Sequence, residues 1–121
     1  MLIATGGALG AVLRYILTNI SKSLLGSSIY GTFSVNIIGS FLIGYLITSD
    51  IINNFSENFI KFFLIIGLLG SFTTFSAFSY EVVELINSKK YISSFTYIFI
   101  SIFICVMSAY LGTFLNKLWF D

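Results

Sequence analysis

Four long stretches of the chain are almost wholly apolar, and short polar segments separate them. The first covers about residues 2–20 and stops at Ser21-Lys22-Ser23; the second covers about 29–48 and stops at Ser49-Asp50. The third covers about 59–86 and the fourth about 92–118, with the polar segment Asn53 to Asn58 before the third and Asn87-Ser88-Lys89-Lys90 after it. Each stretch meets or approaches the ~20 residues a helix needs to cross a ~30 Å hydrocarbon core. The pattern predicts an all-α membrane protein of four transmembrane helices. With only short connections, residues 1–121 make one four-helix transmembrane domain without linkers, repeats or low-complexity tracts.

The third stretch is too long for its task. About 28 residues rise about 42 Å as a helix, more than a straight crossing requires, so this span tilts, extends beyond the bilayer or breaks. Near its middle lies Gly67-Leu68-Leu69-Gly70-Ser71-Phe72-Thr73-Thr74-Phe75-Ser76, two glycines and four hydroxyl residues. The chain has no proline, so a break would come from the glycines, with hydroxyls satisfying the released backbone groups. The other reading of this cluster is close helix packing through small residues.

Composition agrees with a membrane protein: 57% of residues are hydrophobic and 9% charged, and the mean hydropathy is +0.99. No lysine-rich start or small-residue cleavage site accompanies the first apolar stretch, which is therefore expected to be a retained span. There is no histidine, and no carboxylate is expected in the middle of an apolar run, so enzymatic acid–base or metal chemistry is not expected. A formal charge of +1 gives no reason to expect nucleic acid as a partner. Cys105, inside the fourth stretch, reads as a small buried hydrophobe.

The few charges also bear on orientation. Four spans put both termini and the middle loop on one side, with Lys61 and Lys117; the other side has Lys22, Lys89 and Lys90, while Arg14 lies within the first span. Orientation follows an excess of Lys and Arg in cytoplasmic loops, and this excess is only one residue, so insertion in both directions is expected.

Polar residues within the spans are the candidates for function. Gly6 and Gly10 share a face of the first span at GxxxG spacing, with Arg14 one turn further on. Arg14 either snorkels to the interface or makes an aqueous vestibule electropositive. In the second span Thr32, Asn36, Ser40 and Gly44 recur every four residues. Asn36 offers amide N–H donors that could replace an anion's water, and equally could tie helices together. Phe75 and Phe78 lie three residues apart in the third span, where ring edges, which carry partial positive charge, can face an anion or simply pack. Tyr97, Ser101 and Cys105 share a face of the fourth span.

Three motifs, in this order, resemble the Fluc/CrcB family of small fluoride channels over essentially the full chain. They are Gly6-Gly7-Ala8-Leu9-Gly10-Ala11 with Arg14-Tyr15, Thr32-Phe33-Ser34-Val35-Asn36-Ile37-Ile38-Gly39-Ser40-Phe41, and Gly70-Ser71-Phe72-Thr73-Thr74-Phe75-Ser76-Ala77-Phe78 followed by Glu81. The resemblance implies an antiparallel, dual-topology homodimer in the inner membrane, in contact with lipid, with fluoride pathways lined by both subunits. It implies a structural sodium ion at the dimer centre, held by the Gly70 and Thr73 carbonyls. By the same resemblance Asn36, Phe75 and Phe78 line the fluoride pore, Arg14 its vestibule, and Tyr97 and Ser101 its fourth-helix side. The spacing of the second span, apart from the resemblance, adds the hydroxyls of Thr32 and Ser40 along the Asn36 track. The implied function is passive export of cytoplasmic fluoride. The alternatives are a small four-span multidrug-type exporter, which needs an acid within the membrane, and an accessory membrane subunit.

Overall fold

The computed structural model describes residues 1–48 and 57–120. Helix α1 (Leu2–Leu25) leads into α2 (Ile29–Ile47), and the third span is made of three pieces, α3 (Phe59–Leu69), α4 (Gly70–Phe72) and α5 (Phe75–Asn87), before α6 (Tyr91–Phe120). Four helical stretches are long and apolar enough to cross a membrane, and no strand occurs among the described residues. The stop expected at Ser49-Asp50, and the polar segment from Asn53 to Ser56, lie outside the described residues.

The first helix runs past the polar stop expected at Ser21-Lys22-Ser23. Ser21 is buried and donates to the Ser27 carbonyl at 2.7 Å, so its polarity is satisfied without ending the helix. Termination falls to Gly26, whose φ of +76° is open to glycine at little cost, and whose N–H donates to the Lys22 carbonyl. The connection after α5 uses another left-handed residue, Lys89 at φ +58°.

The third span solves its excess length by breaking. Its first part, α3, is wound in the wide π manner, and the Gly70 N–H still reaches back five residues to the Ile65 carbonyl. After Phe72 the chain becomes extended at Thr73 (φ −80°, ψ 153°) and Thr74 (φ −150°, ψ 121°), and α5 then starts afresh with the Thr74 hydroxyl accepting from the Ala77 N–H.

Small residues set which helices touch. A β-carbon on Gly6 or Gly10 would collide with the Phe63 or Leu68 carbonyl, so α1 lies on α3 with the backbones nearly in contact. Gly44 faces the Ala109 carbonyl and Gly112 the Phe41 carbonyl, which draws α2 against α6 in the same way. The interior is small and unusually polar: Val35, Ile60, Leu69, Phe72 and Phe78 are buried together with Thr32, Glu81, Ser94, Ser101 and Asn116. The outward faces carry Phe95, Phe99, Phe103 and Val106, each well exposed. A bilayer solvates such a surface and water does not.

Candidate functional site

The helix break gathers the site. Asn36, on the polar stripe of α2, meets it with both ends of its amide: Oδ1 accepts from the Thr74 N–H at 2.8 Å and Nδ2 donates to the Thr74 carbonyl at 3.0 Å. Asn36 thus takes up the Thr74 N–H and adds a donor to the Thr74 carbonyl, and one of its two N–H hydrogens remains for another acceptor. In an unbroken helix the Thr74 N–H would serve the Gly70 carbonyl, and the Ala77 N–H would serve the Thr73 carbonyl. Both donors are diverted, to Asn36 and to the Thr74 hydroxyl respectively. The two carbonyls singled out in the sequence are therefore released from the ladder. The Ser71 carbonyl accepts from Arg14 Nε at 3.1 Å, and the Leu69 carbonyl keeps the Thr73 N–H at 3.1 Å.

Beside the break is an open groove of about 360 Å³. Asn36, Ser40, Phe75, Phe78, Ser101 and Cys105 line it along with Gly70 and Thr73, so most of the residues expected at the pore come together. The rings of Phe75 and Phe78 lie 5.4 Å apart and tilted by 45°. Phe78 is buried while Phe75 is 75% exposed. The Ser101 hydroxyl is buried and has no hydrogen-bond partner. Cys105, expected as a buried hydrophobe, is instead half-buried in the groove wall near the Ser40 hydroxyl.

Thr32 and Tyr97 sit apart from this groove, around a carboxylate. Glu81 is 5% exposed, and its oxygens accept from Ser28 at 2.8 Å, Thr32 at 2.7 Å and Tyr97 at 2.8 Å. The Tyr97 ring also packs on Phe78, with centroids 5.1 Å apart, which joins this cluster to the groove. Glu81 stands near the end of the third apolar stretch rather than in its middle, as expected, yet it is buried among polar partners. Its signal was its spacing: it follows Phe75 and Phe78 at successive intervals of three along α5, adjacent on the helix surface to Phe78. Proximity to the end of the apolar stretch hid its burial. Arg14 stands on the far side of the break, half-buried and bound to Ser71.

A broken membrane helix has electrically opposite ends at one place. The carbonyls ending α4 carry partial negative charge and the first N–H groups of α5 partial positive charge, so the break can serve a cation and an anion side by side. The fold and site define a small multi-pass helical membrane protein with its polar chemistry concentrated at mid-span, the arrangement of proteins that pass ions. The chain belongs to the family described as CrcB-like protein, Camphor Resistance (CrcB), which matches residues 1–113. It is 39% identical over 119 residues to a fluoride-specific ion channel FluC of Dehalococcoides mccartyi, covering 98% of this chain and 92% of the relative. A FluC of Phocaeicola vulgatus is 44% identical over 120 residues, covering 97% of each chain, and one of Flavobacterium psychrophilum is 40% identical over 116 residues, covering 95% and 94%.

Proposed function

We propose that this protein is a passive, fluoride-selective channel of the cytoplasmic membrane that works as an antiparallel homodimer. The observation that carries the reading is the buried, unpartnered Ser101 hydroxyl in a groove walled by Phe75 and Phe78. A donor without an acceptor is costly in a low-dielectric interior, and a small anion in the groove would satisfy it. The free N–H of Asn36 and the Ser40 hydroxyl add donors, and the ring edges add partial positive charge without a fixed cation that would hold the anion. Thr32 and Tyr97 donate their single hydroxyl hydrogens to Glu81. They serve an anion only by exchanging that acceptor, which places them at a secondary point of the route. Arg14 raises the local concentration of anions at the vestibule.

The homodimer is supported by what the single chain leaves open. Gly70, Phe75 and Ser76 are exposed at the break, and free backbone groups there cannot face hydrocarbon. A second copy covers them, and antiparallel insertion accords with the near-balanced loop charges. The released Gly70 and Thr73 carbonyls are hard oxygen donors suited to sodium, two from each subunit. A sodium ion held there would offset partial negative charge at the helix ends; Asn36 and Thr74 hold the backbone that would present these carbonyls.

Neutral hydrogen fluoride enters cells and dissociates, and an interior-negative potential of 100 mV drives fluoride out with about 2.3 kcal/mol per charge. No coupling to a fuel is required. Liposomes loaded with potassium fluoride and containing the purified protein are expected to release fluoride to an electrode when valinomycin is added, and to release little chloride in the parallel experiment. Equal release of both ions, or of neither, defeats the reading.

A further inference from the structure

We propose that Arg14 is a positioning residue for the cation site at the helix break, acting through its hydrogen bond to the Ser71 carbonyl. This inference rests on the reading of Gly70 and Thr73 as sodium ligands. Its starting point is the close approach of α1 to the break. Gly10 has no room for a β-carbon against the Leu68 carbonyl, and a β-carbon on Gly7 would stand 3.3 Å from the Ser71 hydroxyl oxygen. One turn beyond Gly10, Arg14 reaches over the end of α4, and its Nε donates to the Ser71 carbonyl at 3.1 Å across 57 residues of sequence.

The bond stands where a helical one would have been. In a continuous helix the Ser71 carbonyl would accept from the Phe75 N–H, but Phe75 begins the next helix after two extended residues. Ser71 lies between Gly70 and Thr73, the residues whose helical donors are diverted. Asn36 fixes the break from α2 at Thr74, and Arg14 fixes it from α1 at Ser71. The short turn carrying both released carbonyls is thus held from two helices, α1 and α2. A charge-assisted bond to a carbonyl in a low-dielectric setting is the stronger kind of clamp.

Charge and position act here in opposite directions, which makes the proposal testable. A guanidinium near a cation site repels the cation, so its charge alone would weaken sodium binding. Its hydrogen bond, by fixing the turn, strengthens it. Arg14→Gln removes the charge and keeps an N–H donor at the same number of bonds from the backbone, because glutamine Nε2 and arginine Nε are both attached to Cδ. Arg14→Met keeps the stem and has no donor.

The experiment titrates sodium chloride against N-methylglucamine chloride into purified wild type, Arg14→Gln and Arg14→Met, reading the thermal unfolding midpoint. Hydrogen exchange across residues 70–77 is measured in parallel without sodium. Positioning predicts that the glutamine variant responds to sodium at the wild-type concentration or lower, while the methionine variant needs at least ~tenfold more. It also predicts faster exchange at the break in the methionine variant only. Both variants binding sodium alike and at least as tightly as wild type, with unchanged exchange, would overturn the proposal in favour of a purely electrostatic Arg14. Absence of any sodium response in wild type would instead sink the cation site itself, and this role with it; the sodium-free exchange then reports separately whether Arg14 holds the turn.

Discussion

At the scale of single residues, the side chains near the groove divide by whether their donors are already engaged. Ser101 has a free hydroxyl, Asn36 has one free N–H, and Thr32 and Tyr97 are bound to Glu81. Ser101→Ala is therefore expected to lower fluoride efflux while stabilising the protein slightly, since it removes an unsatisfied buried donor. Efflux equal to wild type would show that Ser101 is only packing. Phe75→Ile and Phe78→Ile keep the helix apolar but remove the ring edges, and each is expected to reduce efflux by ~tenfold or more. The two should differ in stability: buried Phe78 packs on Tyr97, whereas Phe75 is mostly exposed in the single chain. Asn36→Asp replaces the amide donor to the Thr74 carbonyl with an acceptor, so efflux and folding are both expected to fall. Size-exclusion chromatography beside the electrode trace separates the two losses.

Individual helices are specified by where small residues stand. The stripe Thr32, Asn36, Ser40 and Gly44 on α2 serves four different neighbours: Glu81, Thr74, the groove and the Ala109 carbonyl. Gly112 on α6 meets the Phe41 carbonyl, a rigid backbone atom that cannot move aside as a flexible side chain could. Gly112→Leu is accordingly expected to separate α2 from α6 and to destabilise by about 1–3 kcal/mol or more. Its unfolding midpoint in detergent should drop relative to Leu111→Ala, a change on the exposed side of the same helix; equal midpoints would contradict this packing.

For the molecule as a whole, the exposed break and the loop charges lead to one prediction about topology. In a Cys105→Ser background with Ser88→Cys, an impermeant thiol reagent applied to intact cells should label about half of the molecules if both orientations occur. Complete or absent labelling would contradict dual topology. Added lysines in one loop should then abolish efflux from a single biased copy and restore it when an oppositely biased copy is co-expressed.

Much of this architecture is legible along the chain, because hydrocarbon imposes a simple rule: a span needs about 20 apolar residues with its backbone bonds internal, and four such stretches are written in the sequence. The weakness of the third span is legible too, since Gly67 to Ser76 puts flexible and hydroxyl residues where an unbroken helix has no use for them. Motif order carried the candidates Asn36, Phe75 and Phe78. Partnership, however, is not written in spacing. That Asn36 grips the Thr74 backbone, that Arg14 holds Ser71, and that Glu81 is buried under three hydroxyls depend on side chains 57, 53, 49, 38 and 16 residues apart meeting in space. One-dimensional polarity placed Glu81 near a polar end; only tertiary packing decided that α2 and α6 would close over it. The sequence determined which segments enter the membrane and where one of them fails, since hydration and backbone bonding are local costs. Tertiary structure alone decided which freed groups found partners and which, like the Ser101 hydroxyl, were left without one.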